Sequence, residues 1–293
     1  MNYSKIVHLS DGHSVWTRSE GDGPIKILLL HGGPGMTHEY LEPFSEFIKN
    51  KPIQIIYYDQ LGSYYSDQPD DASLWNIPRF CEEVEEVRQA WGLEHFYLYG
   101  QSWGGLLAME YATRYGQHLK ALIDSNMVDN MKDYETYINK LRNAMAPEDV
   151  AFMKDKEAQN QIDDPHYEEL VMKLYQSCIC RLQPWPDAVS RSFDRTNDQV
   201  YVSLQGPTEF TITGSLKTWT IRDRLGEIAV PTLLLGGKYD SMNPEVIKTM
   251  ATRLPHGQAH ICPKGSHFSI WDDQADYFNA IETFLEKVEQ TKP

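Results

Sequence analysis

The chain has 293 residues, of which 41% are hydrophobic and 24% are charged, an ordinary composition for a globular protein with one large domain or two modest ones. The formal net charge of −15 opposes binding to nucleic acid and to anionic membranes, so neither is an expected partner. No signal peptide and no bilayer-length apolar run are visible, and the four cysteines are scattered, which together predict a reduced, cytoplasmic setting.

Strands and helices alternate over the first part of the chain. Residues 5–21 alternate between apolar and polar side chains around a turn at Asp11-Gly12, which is typical of a hairpin at the edge of a sheet. Helical patterns appear at 39–50, at 76–93 and after residue 102. Nearly continuous apolar runs, typical of strands buried on both faces, occupy four segments: 25–33, 53–60, 95–100 and 119–126.

The alternation stops at about residue 128, where a helical, polar and aromatic block begins, and it resumes with a buried strand at 230–237. Strands that alternate with helices indicate a mostly parallel sheet with helices on both faces, an α/β architecture. We therefore predict a core domain formed by residues 1–127 and 221–293. Residues 128–220 are predicted to form a helical cap, inserted over one end of the sheet.

Ser102 lies in the pentapeptide Gly100-Gln101-Ser102-Trp103-Gly104, between a predicted strand and a predicted helix. This G-x-S-x-G pattern is typical of a nucleophile elbow, in which the two small residues let strand and helix close on each other and hold the serine out of the turn. A tight structural turn is the alternative. The strand–turn–helix context favours the interpretation that Ser102 is a nucleophile.

A nucleophilic serine needs a base, and the base needs an acid that orients it. Asp240 follows the strand predicted at 230–237, and His267 follows the next strand, so both should lie at the same sheet edge as Ser102. Simpler interpretations are a helix-terminal acid for Asp240 and a loop histidine for His267, and Asp124 is a rival for the acid. The order serine, aspartate, histidine favours a triad of Ser102, Asp240 and His267.

The negative charge that forms on an attacked carbonyl needs at least two donors already aimed at it. One predicted donor is the amide of Trp103, directly after the nucleophile. The other is the amide of Gly33, in the loop HGGPG at 31–35, where glycines allow the backbone to approach a substrate closely. A phosphate-binding loop is the alternative for this segment, but it lacks the G-K-[ST] ending.

Six motifs along the chain carry a resemblance to one family. In order they are HGGPG (31–35), YDQLGS (58–63), GQSWGG (100–105), GPTEFTITGSLKTW (206–219), GGKYD (236–240) and GSH (265–267). The sequence resembles the proline iminopeptidases, aminopeptidases of the α/β-hydrolase fold, and among them it is similar to the tricorn-interacting aminopeptidase. The match spans nearly the whole chain, and GPTEFTITG in the inserted block is its most specific part.

The resemblance implies residues for substrate binding. In that family a cap glutamate in the GP-x-EF context holds the free amino group of the substrate, which here implies Glu209, with Tyr201 at a neighbouring position that lines the pocket. A half-buried carboxylate would distinguish a charged N-terminus from a mid-chain amide, which gives this role an independent physical reason. A solvated surface charge is the alternative for Glu209.

The sequence departs from the family pattern in two segments. Ser241 stands where some members carry a second acid directly after the triad aspartate, which weakens the implied preference for proline. Tyr64 and Tyr65 replace small residues of a glycine-rich stretch, and we expect them to narrow the pocket. Four aromatic residues are interpreted either as an apolar pocket wall or as cap core: Trp103, Trp185, Trp219 and Phe210.

The predicted function is that of a serine aminopeptidase, which removes an N-terminal proline or another small or hydrophobic residue from short peptides through an acyl-enzyme. This mechanism requires no metal and no organic cofactor. An amino-acid amidase, an esterase or an aminoacyl-deprotecting amidohydrolase of the same family is the alternative. A ligand receptor without catalysis on the same fold is a further alternative, opposed by the intact Ser102, Asp240 and His267. In each of the enzymatic interpretations the substrate is small, a short peptide or an amino-acid amide. The sequence does not indicate the oligomeric state.

Overall fold

A computed structural model describes residues 2–290 of the chain. Its eight strands form one sheet in the order β1-β2-β4-β3-β5-β6-β7-β8. The strands are β1 (Tyr3–His8), β2 (Ser14–Gly21), β3 (Ile25–Leu30), β4 (Ile53–Asp59), β5 (Phe96–Gln101), β6 (Leu119–Ser125), β7 (Thr232–Gly237) and β8 (Gly257–Cys262).

The first two strands pair antiparallel as the predicted hairpin at one edge of the sheet, and β2 also runs antiparallel to β4. All the remaining neighbours, from β4 through β3 to β8, pair in parallel. The prediction of a mostly parallel sheet is therefore confirmed. The apolar runs of β3 and β5 are buried because helices cover both faces, which is why these strands show no polar alternation.

Eleven α-helices accompany the sheet within residues 2–290. They are α1 (Pro43–Phe47), α2 (Ile77–Ala90), α3 (Trp103–Tyr115), α4 (Met131–Arg142), α5 (Pro147–Ala158), α6 (Pro165–Cys178), α7 (Asp187–Asp194), α8 (Asp198–Leu204), α9 (Pro244–Arg253), α10 (Ser269–Asp272) and α11 (Gln274–Gln290). Short 3₁₀ turns occur at His38–Leu41, Ala72–Leu74, Gly116–His118, Ser215–Thr218 and Arg222–Glu227.

The helix predicted at 39–50 is shorter than expected. A 3₁₀ turn at His38–Leu41 is followed by α1, which begins at Pro43. Proline has no amide hydrogen to donate and its fixed φ suits the first position of a helix, so Pro43 starts a new helix instead of continuing the preceding turn. The prediction of one continuous helix was wrong at this point.

Helices α4 to α8 lie between β6 and β7 in the sequence, where the cap was predicted. The chain leaves and returns through adjacent backbone segments: Met131 N donates to Trp219 O across 3.1 Å, and Ile221 N donates to Asp129 O across 3.0 Å. These two hydrogen bonds lie beside the predicted domain boundaries at 127/128 and 220/221. The division into core and cap stays a prediction.

Within residues 2–290, none of the helices has both the length and the apolar composition that crossing a bilayer requires.

Candidate active site

Ser102 lies between the last residue of β5 and the first of α3, with φ at 55°. A side chain at either flanking glycine would collide with backbone: a Cβ on Gly100 would lie 2.0 Å from Gly104 O, and one on Gly104 would lie 2.2 Å from Leu30 O. Strand and helix can approach this closely only with glycine at both positions. The positive φ of Ser102 is the strained geometry of a nucleophile elbow.

Ser102 and His267 line one cavity of about 740 Å³ between the sheet edge and the cap helices. Gln101, directly before the serine, donates from Nε2 to His267 O across 3.0 Å, which joins the two segments. Among the described residues, no hydrogen bond links Ser102 Oγ to the imidazole. Such bonds are often long in unliganded enzymes and shorten when the substrate is bound.

His267 Nδ1 is hydrogen-bonded to Asp240 Oδ1 across 2.9 Å, and the carboxylate is 1% exposed. Asn126 Nδ2 donates to the other oxygen, Oδ2, across 2.6 Å, and the amide of Met242 donates to Oδ1 across 2.9 Å. These donors fix the orientation of the carboxylate, so that its Oδ1 atom faces Nδ1 of His267.

Asp124, the rival acid, lies at the end of β6 but forms no hydrogen bond with His267. Its Oδ1 atom is buried and has no partner within residues 2–290, and burial raises the pKa of its carboxyl well above the usual range. The acid in contact with the histidine is Asp240. The buried side chain of Asp124 instead fits a structural position under Gly105, where an added Cβ would lie 2.1 Å from Oδ1.

The two predicted oxyanion donors lie beside the serine. Gly33, Ser102 and Trp103 all line one small pocket next to the main cavity. Neither the Gly33 nor the Trp103 amide has an acceptor among the described residues, and the latter is at the first position of α3, where no intrahelical partner exists. Gly33 adopts φ of 114°, a conformation that favours glycine.

Glu209 is half-buried and lines both the main cavity and the small pocket. Its two carboxylate oxygens accept hydrogen bonds from the hydroxyls of Tyr134 and Tyr201. Burial, with the nearby carboxylate, raises the pKa of both phenols well above 10, so they remain neutral donors. The predicted Glu209 and Tyr201 are thus in direct contact, close to Ser102.

The charged side chains that line the main cavity are acidic. Its lining, within the described chain, contains neither lysine nor arginine, whereas it includes the carboxylates of Glu168, Asp194, Asp198 and Glu209. No basic side chain forms an ion pair with Glu209 in residues 2–290. The carboxylate therefore presents a negative charge for which the protein itself provides only hydroxyl donors.

The aromatic candidates divide between pocket and core. Trp185 lines the main cavity together with Phe193 and Phe268, and Trp103 lines the small pocket. Trp219 and Phe210 line neither; Trp219 donates from its indole to Glu110, and Phe210 is 3% exposed.

The expectation that Tyr64 and Tyr65 narrow the pocket is wrong. Both side chains lie on the surface, 52% and 38% exposed, and the guanidinium of Arg195 rests over their rings at 4.8 and 5.3 Å. Ser241 is buried beside Asp240, with Oγ 3.5 Å from Asp240 Oδ1. Ser241, which stands where some family members carry a second acid, is therefore next to Asp240 and does not line the main cavity.

Three residues that touch this site were missed by sequence reasoning: Gln101, Asn126 and Tyr134. Asn126 adopts φ of 55° directly after β6, and an asparagine at a strand end is a signal that could have found it, since asparagine tolerates this conformation. Tyr134 carries no such signal, because it lies in an ordinary amphipathic helix, α4.

A mostly parallel eight-stranded sheet, a serine at a strand-to-helix elbow and a histidine–aspartate pair in the loops after β7 and β8 together define an α/β hydrolase. In agreement, residues 26–274 match the family model described as the alpha/beta hydrolase fold.

The relatives are more specific. The chain is 44% identical over 283 residues to a proline iminopeptidase of Flavobacterium johnsoniae, covering 95% of each chain. It is 46% identical over 281 residues to a proline iminopeptidase of Elizabethkingia meningoseptica, covering 94% of each. The crystal structure of the proline iminopeptidase of Mycobacterium smegmatis superimposes with a TM-score of 0.90 at 28% identity, over 98% of this chain and 99% of that one. The chain therefore belongs to the proline iminopeptidase family of α/β hydrolases.

Proposed function

We propose that this protein is a serine aminopeptidase that removes an N-terminal proline, or another small or hydrophobic residue, from short peptides. One observation carries the proposal: Ser102, His267 and Glu209 line the same cavity. A nucleophile, its base and an anchor for a charged amino group are therefore available to a single substrate.

Recognition begins at Glu209. An ammonium group bound there forms charge-assisted hydrogen bonds with a carboxylate that has no basic partner in the described chain. A substrate with a blocked amino group would leave this carboxylate uncompensated, which disfavours N-acetylated peptides. The apolar side chains of Met36, Trp185 and Phe193 line the same cavity and suit a pyrrolidine ring or another apolar side chain.

Acylation follows from the triad geometry. His267, oriented through Nδ1 by Asp240, takes the proton of Ser102 as its oxygen attacks the carbonyl carbon of the first residue. The amides of Gly33 and Trp103 donate to the oxyanion. His267 then protonates the leaving amine of the shortened peptide, and the aminoacyl group remains on Ser102.

Deacylation uses the same groups. His267 removes a proton from a water molecule that attacks the aminoacyl ester, and the oxyanion again forms beside Gly33 and Trp103. Collapse of this intermediate releases the free amino acid and returns the proton to Ser102. No step requires a group beyond the side chains and amides named.

Prolyl, alanyl and leucyl arylamides, each with a free and with an N-acetylated amino group, test the proposal on the wild type and on Glu209→Gln. We expect turnover of the free forms, little turnover of the acetylated forms, and for Glu209→Gln a rise in KM that removes most of the discrimination. Dipeptides with N-terminal proline should be cleaved, which distinguishes an aminopeptidase from an amidase limited to small amides. Equal turnover of free and acetylated substrates would overturn the role of Glu209.

A further inference from the structure

A second cluster of chemically active side chains lies away from the cavity, where strand β8 meets helix α11. His260 and Cys262 are two residues apart on β8, so they project from the same face of the strand. Asp276 belongs to the first turn of α11. One ligand atom from each of the three residues lies within 4.8 Å of the others.

We propose that His260, Cys262 and Asp276 form a binding site for a zinc-class divalent cation. An imidazole nitrogen, a thiolate sulfur and a carboxylate oxygen are the three donor types found in tetrahedral zinc sites. A soft sulfur together with a nitrogen disfavours Mg²⁺ and Ca²⁺, which prefer oxygen ligands alone. Three protein ligands leave the fourth position to water.

The arrangement is already close to that of a ligand set. His260 Nε2 lies 2.6 Å from Asp276 Oδ2, and the Cys262 thiol faces the same carboxylate. A small separation of the first pair would admit an ion at the zinc–nitrogen and zinc–oxygen distances of about 2.0–2.2 Å. Cys262 is fully buried, whereas the side chains of His260 and Asp276 are 36% and 32% exposed. The ion would therefore enter from solvent past these two.

The local charge also favours a cation. Within residues 2–290, neither lysine nor arginine forms an ion pair with Asp276; its partner is His260. The carboxylate of Asp273 lies near the same thiol. On binding, Cys262 loses its proton to solvent and the thiolate, the imidazole and the carboxylate each donate an electron pair to the ion, with no redox change.

Occupation would join two elements at the end of the sheet. β8 is the edge strand of the sheet and, within residues 2–290, pairs only with β7, and α11 packs across it. A bound ion would link this strand to the helix, and a ligand that binds only the folded state raises the melting temperature. The cluster is distinct from Ser102 and His267, so its occupation does not depend on catalysis.

Titration of the full-length, metal-free protein with Co²⁺ tests the site, because a cobalt–thiolate bond gives a charge-transfer absorption band in the near ultraviolet. We expect one equivalent of Co²⁺ to produce this band, Zn²⁺ to displace it, and Zn²⁺ to raise Tm. Cys262→Ser should abolish the band and His260→Ala should weaken binding at least tenfold, whereas Cys81→Ser, which removes a buried thiol in α2, should change neither. In wild type, we also expect that Mg²⁺ does not displace the cobalt and leaves the band unchanged.

Three outcomes would overturn the proposal. They are cobalt binding without the thiolate band, an unchanged band in Cys262→Ser, and a rise in Tm with Zn²⁺ that is equal in wild type and in Cys262→Ser. The last outcome would assign the zinc effect to another site, such as the imidazole of His267. Circular dichroism of each variant establishes that a lost band reflects a lost ligand and not a lost fold.

Discussion

Asn126 Nδ2 donates a hydrogen bond to Asp240 Oδ2 across 2.6 Å and also lies 3.1 Å from Ser266 O, so one amide connects the acid of the proposed triad to the loop that carries the histidine. The residue directly before it, Ser125, accepts the amide of Ser102 across 2.9 Å. The end of β6 therefore contacts all three segments of the proposed triad. We infer that Asn126 positions Asp240 and His267 without touching the substrate.

Replacing Asn126 by glycine tests this positioning role. Glycine accepts the φ of 55° found at this position without strain, so the substitution removes the amide and little else. We expect kcat to fall about 10- to 100-fold with KM nearly unchanged, because the loss of a buried donor to a charged group costs about 1.5–3 kcal/mol. Arylamide kinetics measure both values.

Asn50→Gly is the matched control, because Asn50 also adopts a positive φ, 60°, but is exposed and distant from the cavity. It should leave kcat and KM unchanged. If Asn126→Gly lowered stability as much as activity, with kcat restored at lower temperature, Asn126 would be a structural residue only.

Substitution of the proposed nucleophile gives the largest effect. Ser102→Ala should reduce arylamide turnover by roughly 10⁴-fold or more, the loss typical when one member of a serine triad is removed. Labelling by a fluorophosphonate probe should disappear with it, while Tm changes little because the side chain is small and partly exposed. Labelling that persists in this variant would identify a different reactive group.

Much of this site follows from hydrophobic pattern and topology. The strands predicted at the positions of β5, β7 and β8 place Ser102, Asp240 and His267 after parallel strands of one sheet, and such strand ends lie at a common edge. Sequence spacing could not predict the partners of Glu209 in the same way. Tyr134 lies 75 residues away from Glu209, and their contact depends on how the cap helices pack.

The wrong expectation for Tyr64 and Tyr65 also arose because contacts between residues distant in sequence cannot be predicted from spacing. Tyr64 and Tyr65 follow a motif whose glycines suggested proximity to the pocket, yet their exposed rings contact the guanidinium of Arg195. Where a side chain points from an irregular loop is set by partners distant in sequence, here by an arginine 130 residues away. Such partners leave no periodic signal in the sequence.

Removal of one hydroxyl donor from Glu209 should weaken substrate binding more than catalysis. Tyr134→Phe deletes a buried hydrogen bond to the carboxylate and leaves the bond from Tyr201. We expect KM for prolyl arylamide to rise about 5- to 30-fold, from a cost of roughly 1–2 kcal/mol, with little change in kcat. Tyr64→Phe, on an exposed tyrosine, should behave as wild type. A lower kcat at constant KM would instead assign Tyr134 to the chemical step.

Glu39 contacts two arginines of the α7 region, Arg191 and Arg195. Its Oε1 atom lies 2.9 Å from Arg191 Nε and 2.5 Å from Arg195 Nη1, and Oε2 accepts from Thr37 Oγ1 across 2.9 Å. Glu39 is almost fully buried, with 5% of the residue's surface exposed. Burial alone would raise the pKa of this carboxyl, but the hydrogen bonds from Thr37 and Arg195 and the charges of both arginines outweigh it, so the pKa lies below the usual 4.5.

The lowered pKa fixes the sign of the pH dependence. The unfolded chain binds a proton at Glu39 more readily than the folded protein, so this residue contributes stability above about pH 4.5, and the contribution is lost as the pH falls through the lower, folded value. Glu39→Gln should therefore cost about 1–2 kcal/mol near neutral pH, measured as a lower Tm. The difference from wild type should shrink as the pH falls below about 4.5.

Glu42→Gln, which removes a 48% exposed partner of Arg191, should cost much less at every pH, as expected for a solvent-screened pair. A gap between wild type and Glu39→Gln that widened toward acid would mean that the folded protein binds the proton more tightly, and that the two arginines do not hold Glu39 in its charged form.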